Sequence, residues 1–408
     1  MHTLVDADIQ AVEGGVTAPL GFHAAGVACG IKASGKPDLA LVAAEHVSSA
    51  AAIFTTNQAQ AAPVLLSRAH LEKSGGQARV IVTNSGCANA CTGPQGLTDA
   101  RAMADLTAQQ IGCAPEHVLV ASTGVIGVNL KMDAVARGIA SAAPLLAREN
   151  HAAAAQAIMT TDPFPKAHAV ELDTAHGLFR VGGMAKGSGM IEPRMATMLG
   201  YLTTDAEVEP ALLRQALVEA SRYTFNAITV DGESSTNDSV FAIANGASGV
   251  VIDEALYPLL VQGLRLVAHE LALGIVRGGE GATKVVALTV VGADSDDSAW
   301  QAARVVANSP LVKTALHGAD PNWGRLVAAS GRAGVPFNLD AAAVRIGPHV
   351  LFSHGGPHDE LAPQAAAYLT GANLEIEIDL GTGGSGRATM FTCDLSAEYV
   401  RINAEYRT

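Results

Sequence analysis

Arg79-Val80-Ile81-Val82-Thr83 is a short run rich in β-branched residues, as is typical of a buried β-strand. A second such run, His117-Val118-Leu119-Val120, follows further along the chain. Between the two, apolar residues at helical spacing predict a helix that begins with Thr98 as its cap and ends at Gly112. A strand, a helix and another strand in succession indicate an α/β fold.

The remainder of the chain keeps this alternation. One helix is predicted to begin at Pro210, because the fixed backbone angle of proline suits a first helical turn. Another is predicted over residues 256–271, where apolar residues recur at helical spacing. From Leu374 to Leu380 apolar residues alternate with polar ones, which predicts a half-buried strand. We therefore expect α/β layers rather than a helical bundle or an all-β barrel.

The composition narrows the class of protein. With 408 residues, of which 49% are hydrophobic, the chain is long enough for two domains or for one large domain in two halves. The net charge is −13 and no basic run occurs, which argues against nucleic-acid binding. The opening stretch lacks the features of a signal peptide, and no run approaches the roughly 18 apolar residues of a membrane helix. Five scattered cysteines without a C-x-x-C pair favour reduced thiols, so we expect a soluble, cytoplasmic protein.

Two motifs suggest ligands, and both have a simpler interpretation. Residues 381–386 fit G-x-G-x-x-G, but a dinucleotide site needs a helix next, and residues 387–393 have the pattern of a strand. A hairpin turn is the better interpretation. His354, His358 and Asp359 are possible metal ligands, but their Gly- and Pro-rich surroundings and the lack of a second cluster favour a surface loop. We therefore expect neither a nucleotide cofactor nor a metal ion.

One stretch resembles the self-cleavage site of a known family: Lys186-Gly-Ser-Gly-Met-Ile-Glu-Pro-Arg-Met-Ala-Thr-Met-Leu-Gly200. The family is the ornithine acetyltransferase (glutamate N-acetyltransferase) family of arginine biosynthesis. Eight further segments are similar to family segments and follow in family order: 16–22, 84–93, 122–127, 231–238, 279–284, 309–314, 320–325 and 399–408. Each is weak alone, but eight in order, spread over nearly the whole chain, are specific.

Four positions depart from the family pattern. The family usually has Asn where Cys87 and Arg194 stand, Pro at Lys131 and Asp at Glu233. Arg194 matters most, because it lies three residues before the nucleophile that the resemblance implies. It is expected to affect the cleavage rate or the preferred acceptor, but no group that the chemistry requires is missing.

The resemblance implies that the chain cuts itself between Ala196 and Thr197, giving an alpha chain of residues 1–196 and a beta chain of residues 197–408. Thr197 is then the nucleophile, and its new α-amine, with a reference pKa of about 7.7–8.0, is a suitable general base. The implied oxyanion donors are the Thr123 side chain and the Gly124 N–H. The implied fold is a layered α/β sandwich with buried sheets between helices, similar to self-cleaving enzymes with an N-terminal nucleophile.

The resemblance also assigns substrate contacts. Family binding positions fall on the following residues: Thr160, Lys186, Thr197, Glu280, Asn403 and Thr408. Thr161 is an alternative to its neighbour Thr160, and Glu280 is also counted with the catalytic residues. Residues 395–400 are predicted to form a final strand that brings the tail to the site. No cofactor is implied, although acetyl-CoA is a possible substrate, and two copies of each chain are expected to associate.

The implied function is transfer of an acetyl group from N-acetylornithine to glutamate, by a ping-pong route through an acetyl ester of Thr197. One rival is a self-cleaving hydrolase or aminopeptidase of similar fold, which would consume acetylornithine without glutamate. The other is a non-enzymatic ligand-binding relative, which predicts an uncut chain. The presence of Thr197, Thr123 and Glu280 argues against the second rival.

Overall fold

The computed structural model describes residues 8–192 and 198–405 of the chain, arranged in two compact units. The first unit comprises the residues up to Asn226 together with Glu233–Ile275. The second comprises Ala227–Gly232 together with the residues from Val276 to near the C-terminus. Neither unit coincides with the predicted alpha or beta chain.

The first unit alternates strands and helices. In chain order its elements are β1 (Asp8–Ala11), β2 (Phe22–Val27), β3 (Leu39–Phe54), α1 (Ala62–Lys73), β4 (Gln77–Cys87), α2 (Gly93–Ile111), β5 (Val118–Val125), α3 (Met132–Ala142), α4 (His151–Ala157), β6 (Lys166–Thr174), β7 (Gly177–Lys186), β8 (Leu199–Thr204), α5 (Pro210–Arg222), β9 (Ser239–Ala244) and α6 (Tyr257–Arg277). Over the described residues the strands form one nine-stranded sheet in the order β1-β6-β7-β8-β9-β3-β4-β5, with β2 paired to β3.

This sheet folds over onto itself. The first part of β3 pairs with β4 and its last part pairs with β9, with an irregularity in the β3–β4 register between Ala43 and Ser48. The Tyr201 hydroxyl of β8 lies 2.8 Å from Thr83 Oγ1 of β4. These strands are three places apart in the sheet, where a flat sheet would separate them by about 14 Å. The contact therefore requires the two halves of the sheet to face each other.

Apolar side chains fill the space between these halves and the space under the helices. Ile81 and Leu119 of one half share a core cluster with Phe241 of the other. On the outside, α2 and α3 join a second cluster that includes Val82. On the opposite outside, α6 packs on β6 and β7, where a Cβ on Gly263 would lie 3.0–3.1 Å from side chains of those strands. The expected layered sandwich with sheets buried between helices is therefore confirmed for this unit.

Helix α6 corrects the expectation that no part of the chain is long and apolar enough to form a membrane helix. By length and composition it is apolar enough to cross a membrane. Most of its apolar stretch is nevertheless buried within the protein. A helix buried on most sides needs apolar residues on most sides.

The second unit has two layers. Its elements are β10 (Val285–Ala293), α7 (Asp296–Ala307), α8 (Pro310–His317), α9 (Trp323–Gly331), β11 (Ala343–Ile346), β12 (His349–Ser353), β13 (Gly356–Pro357), α10 (Ala362–Tyr368), β14 (Asn373–Asp379), β15 (Gly386–Cys393) and α11 (Ala397–Glu405). The six strands run in the order β13-β12-β11-β14-β10-β15. Helices α7–α10 cover one face. The other face carries polar residues such as Glu377, which lies 4.0 Å from Arg345 and 3.8 Å from Arg387. Burial of the sheet between helices therefore does not extend to this unit.

Several of the predicted helices and strands are present, and the structure differs from the prediction mainly in where they begin and end. The strands around residues 79–83 and 117–120, the strand near residues 374–380 and the helices at Pro210 and over residues 256–271 are confirmed. Helix α2 ends before Gly112 as predicted, but it begins at Gly93 instead of after Thr98. Thr98 lies within the helix, and its hydroxyl donates to the Pro94 carbonyl one turn earlier.

The hairpin interpretation of residues 381–386 is wrong. Strands β14 and β15 both pair with β10, one on each side, so the glycine-rich loop crosses the end of β10. A Cβ on Gly384 would lie 2.0 Å from the Ala293 carbonyl oxygen, which explains the glycine there. Strand β15 follows the loop, in agreement with the argument against a dinucleotide site.

The predicted strand over residues 395–400 is also wrong, because α11 begins at Ala397. Arg401 pairs with Glu398 and with Glu405, at the i, i+3 and i, i+4 spacings that bring side chains together on a helix. The short alternation of apolar and polar residues at positions 395–400 therefore indicates the local structure less well than the helical spacing of these charged residues.

Candidate active site

The predicted oxyanion donors lie at the end of β5, beside the end of β4. The two strands are parallel, and Thr123 and Gly124 pair with Ser85 and Gly86. Gly124 has φ +129°, and a Cβ there would lie 2.4 Å from the Gly86 carbonyl carbon. Any other residue would force the strand ends apart, so this close approach requires glycine.

Buried amides support this turn. Asn237 donates to the Ser122 carbonyl at 2.9 Å and to the Ala88 carbonyl at 2.6 Å. The Ser122 hydroxyl donates to Asn84 Oδ1 at 2.6 Å, and Asn84 donates to the Cys87 carbonyl at 2.8 Å. Since buried polar groups with satisfied partners resist displacement, the network fixes the backbone on both sides of Thr123. Cys87, where the family usually has Asn, is part of the same turn.

Lys186, the last residue of β7, contacts the predicted oxyanion donor directly. Its side chain is buried, and Nζ donates to Thr123 Oγ1 at 3.2 Å. An ammonium can only donate, so the Thr123 oxygen accepts and its own proton remains available for another acceptor. The structure thus brings together two residues to which the resemblance gives separate roles, Lys186 in substrate binding and Thr123 as an oxyanion donor.

Asp162 joins Thr160 to this pair. It lies in the connection between α4 and β6, and its side chain is fully buried. Oδ2 accepts from the Thr160 N–H at 3.0 Å, and Oδ1 accepts from the Gly187 N–H at 2.7 Å and from Lys166 Nζ at 2.6 Å. Of the two adjacent threonines, Thr160 is the one whose N–H makes this contact.

The charges of this cluster perturb one another. Burial alone would raise the pKa of Asp162, but the neighbouring ammonium groups of Lys186 and Lys166 and the hydrogen bonds overcome it and lower that pKa to about 2. Burial lowers the pKa of Lys166, an effect that Asp162 partly offsets. Burial likewise lowers the pKa of Lys32 to about 8. Lys32 Nζ donates at 2.7 Å to the carbonyls of Pro37 and Met159, so a third lysine borders the cluster.

The predicted cleavage site falls between two paired strands. Strands β7 and β8 are antiparallel neighbours, with Lys186 opposite Leu199. The chain between them includes the Ala196–Thr197 bond. Ala196, Thr197 and Arg194 lie outside the described residues, as does Thr408. Strands β8 and β9, which belong to residues 197–408, pair with β7 and β3 of residues 1–196. The two predicted chains therefore share one sheet.

In the second unit the structure brings Glu280 and Asn403 together. Asn403 Nδ2 donates to Glu280 Oε2 at 2.8 Å and to the Tyr399 carbonyl at 3.0 Å. The Ser396 hydroxyl donates to the Gly281 carbonyl at 2.7 Å. Gly281 has φ +70°, and a Cβ there would lie 2.6 Å from the Tyr399 nitrogen. Glycine beside Glu280 therefore allows α11 to pack directly against the Glu280 loop.

Asp394 anchors the residues that follow Glu280. This buried carboxylate accepts from the Thr283 N–H at 2.7 Å, the Thr283 hydroxyl at 2.6 Å and the Lys284 N–H at 2.9 Å. It also lies 2.7 Å from His317 Nδ1. Burial would raise the pKa of Asp394, but the hydrogen bonds from Thr283, His317 and Lys284 outweigh it and lower that pKa.

The sequence analysis missed Asp162, Asn237 and Asp394. Asp162 precedes a proline, a dipeptide that favours a turn, and this was a weak signal for an ordered connection. Asn237 lies within the family segment 231–238 but had no role attached to it. Asp394 had no signal, since its partners lie far away in the chain. Within the described ranges, no group of three or more His, Cys, Asp or Glu side chains is placed to hold a metal ion.

Comparison with known proteins gives consistent matches. The model of the ArgJ family matches residues 23–408. The arginine biosynthesis bifunctional protein ArgJ of Synechocystis sp. is 48% identical over 98% of this chain and 100% of its own length. The protein of the same name from Chlorobium chlorochromatii is 50% identical over 96% of this chain and 91% of its own length. A solved chain of ornithine acetyltransferase from Mycobacterium tuberculosis, complexed with ornithine, is 42% identical; it covers 47% of this chain and 100% of its own, with a TM-score of 0.42.

Proposed function

This chain belongs to the ArgJ family, and from that membership we propose that it transfers the acetyl group of N-acetylornithine to glutamate in arginine biosynthesis. Because the relatives are named bifunctional, the proposal includes acetyl-CoA as a second acetyl donor. The observation that carries the proposal is the contact between Lys186 and Thr123, which prepares a hydroxyl donor for an oxyanion.

The active enzyme arises by self-cleavage. The Thr197 hydroxyl attacks the Ala196 carbonyl, the peptide nitrogen leaves as the Thr197 amine, and water opens the resulting ester. This gives residues 1–196 with a new carboxylate and residues 197–408 with a new α-amine. The pairing of β7 with β8 supports this proposal, because those hydrogen bonds hold the two chains together after the cut.

Acetyl transfer to the enzyme repeats this attack on the donor. The Thr197 α-amine accepts the hydroxyl proton as Oγ attacks the acetyl carbonyl. Thr123 and the Gly124 N–H donate to the oxyanion that forms. Collapse breaks the bond to the donor nitrogen, the proton passes to that nitrogen, and ornithine leaves an acetyl ester on Thr197. With acetyl-CoA, the thiolate leaves and takes the proton instead.

Glutamate completes the cycle. Its neutral amine attacks the acetyl ester, the same two donors stabilise the oxyanion, and Thr197 Oγ leaves. The amine proton returns to the hydroxyl through the Thr197 α-amine, so that acetylglutamate and free enzyme result. Protons and charges balance without an added cofactor.

The substrates are amino acids that carry both charges. In this proposal Lys186 binds a carboxylate and Glu280 binds an ammonium group, each through charge-assisted hydrogen bonds. Asn403 holds the Glu280 carboxylate, and Thr160 and Thr408 complete the substrate contacts. Two copies of each chain assemble in the cytoplasm.

The decisive experiment is an assay of glutamate acetylation by the purified protein. We expect acetylglutamate with acetylornithine as donor and, separately, with acetyl-CoA. Loss of acetylornithine at the same rate without glutamate would instead indicate a hydrolase. No consumption of either donor by protein with a free Thr197 terminus would overturn the proposal.

A further inference from the structure

Asp162 forms hydrogen bonds to residues close to the Lys186–Thr123 pair, but it has no role in the acetyl transfer described above. Its carboxylate accepts hydrogen bonds from the backbone N–H of Thr160, in the same α4–β6 connection, and from that of Gly187, which follows β7. Gly187 follows Lys186 directly, so this bond fixes the peptide from which the Lys186 side chain extends. Because the Asp162 side chain is fully buried, no water competes for these donors.

We propose that Asp162 is a positioning residue for the oxyanion donor: it holds Thr160 and the Lys186–Gly187 peptide in place, and thereby the Lys186 side chain against the Thr123 hydroxyl. This inference rests on the proposed acetyl transfer. Asp162 acts through Lys186 and Thr123 and does not touch the substrate.

The charge balance of the cluster supports this role. Lys166 and Lys186 are 4% and 7% exposed, so both ammonium groups need an anion nearby. Lys166 Nζ lies 2.6 Å from Asp162 and pairs with it, and the charge of Lys186 helps to lower the pKa of the same carboxylate. Asp162 is therefore held in its ionised form beside both lysines. Lys32 also faces the cluster, with Asp38 as its own acidic neighbour.

The contacts of Asp162 predict different effects for two substitutions. Asp162→Ala removes both acceptors of the backbone N–H groups, so the Lys186–Gly187 peptide is no longer held and Lys186 is displaced from Thr123. Lys166→Met removes the ion pair but leaves both of those acceptors in place. A purely structural role would lower kcat in both variants in step with their loss of stability.

The test is kcat for acetyl transfer, measured on the cleaved form of each variant together with its thermal midpoint, which separates stability from turnover. We expect Asp162→Ala to lower kcat by about tenfold, because the oxyanion donor is no longer held in place. Asp162→Asn keeps an oxygen that can accept one of the two N–H groups, so it should recover part of this loss. Lys166→Met should lower the thermal midpoint but leave kcat close to that of the wild type.

An unchanged kcat in Asp162→Ala, or kcat values that fall only in step with the thermal midpoint in all variants, would overturn the inference. If Asp162→Ala does not fold, Asp162→Asn decides in its place: a lower kcat beside an unchanged kcat in Lys166→Met supports the inference, and an unchanged kcat overturns it. A wild-type enzyme that transfers no acetyl group would overturn the proposed function itself, and an active wild type whose Asp162 variants keep its kcat would overturn this inference alone.

Discussion

The Asn403 side chain donates a 2.8 Å hydrogen bond to Glu280, although the two residues are 123 positions apart in the chain. Glu280 is 7% exposed, and Asn403 lies on the last described helix. The tail residues of a protein usually tolerate removal. Here the final helix supplies a donor to a buried carboxylate, so we expect the tail to be required for function.

Removal of residues 403–408 should spare self-cleavage but raise KM sharply or abolish acetyl transfer. Asn403→Ala should cause a smaller loss, about tenfold in kcat/KM, because it removes one hydrogen bond to a charged group. Arg401→Ala is the matched control, since Arg401 is exposed on the same helix and pairs with Glu398 and Glu405. A truncated enzyme that transfers acetyl at the full-length rate would show that the tail is dispensable.

The packing of α11 against the Glu280 loop can be tested at Gly281. Alanine there adopts a strained φ of +70°, which costs about 1–2 kcal/mol, and its Cβ clashes with the Tyr399 backbone. Gly383→Ala is the control, because its φ of +76° carries the same strain while no atom lies within 4 Å of the new Cβ. We expect both variants to lose stability, measured by denaturant unfolding, and Gly281→Ala alone to lose most of its acetyl transfer. Equal activity in the two would contradict this arrangement.

Self-cleavage is checked by intact mass and N-terminal sequencing. Purified protein should contain residues 1–196 and 197–408, the second beginning with Thr197. Since β7 and β8 pair across the cut, the two pieces should elute together under native conditions and separate only in denaturant. Thr197→Ala should leave one uncut, inactive chain, and Thr197→Ser, which keeps a hydroxyl, should still cut. An uncut wild-type chain would refute the cleavage.

Charge removal tests the proposed substrate contacts. Glu280→Gln and Lys186→Met should each lower kcat/KM by about 30-fold or more, because a deleted charge leaves its charged partner in a buried site unpaired. Circular dichroism should show an intact fold in both. Glu360→Gln, at an exposed glutamate of the second unit, should leave kcat/KM within about twofold. Near-normal kinetics in the first two variants would remove these residues from the site.

Lys32 should make stability depend on pH in the alkaline range. Burial lowers its pKa from 10.5 to about 8 in the folded protein, so the unfolded chain holds this proton to higher pH. Stability from this group therefore rises as pH increases from about 8 to 10.5. The thermal midpoint of the wild type, measured relative to that of Lys32→Met, should therefore rise as the pH increases through this range. Lys36→Met, at the exposed neighbouring lysine, should track the wild type; a constant difference between wild type and Lys32→Met would contradict the shift.

The strands and helices were predictable where local pattern and burial agree. The strands near residues 79–83 and 117–120 are apolar because both faces of the sheet are covered, and α5 begins at Pro210 because proline suits a first turn. Prediction failed at residues 381–386 and 395–400. Whether a glycine-rich loop makes a hairpin or crosses a third strand depends on which strand lies between, and local sequence carries no information about that.

The sequence by itself determined the α/β class, the family and the chemical groups that the reaction needs, because side-chain chemistry and local periodicity are properties of the chain. Tertiary structure alone decided which of these groups meet. The fold of the sheet onto itself, the placement of Lys186 on Thr123 and the joining of Asn403 to Glu280 all link positions far apart in the chain. Such contacts depend on register and packing across the whole unit. Asp162 shows the consequence: an ordinary aspartate in the sequence becomes a buried carboxylate bonded to Lys166 and to the Gly187 N–H only when α4, β6 and β7 are brought together.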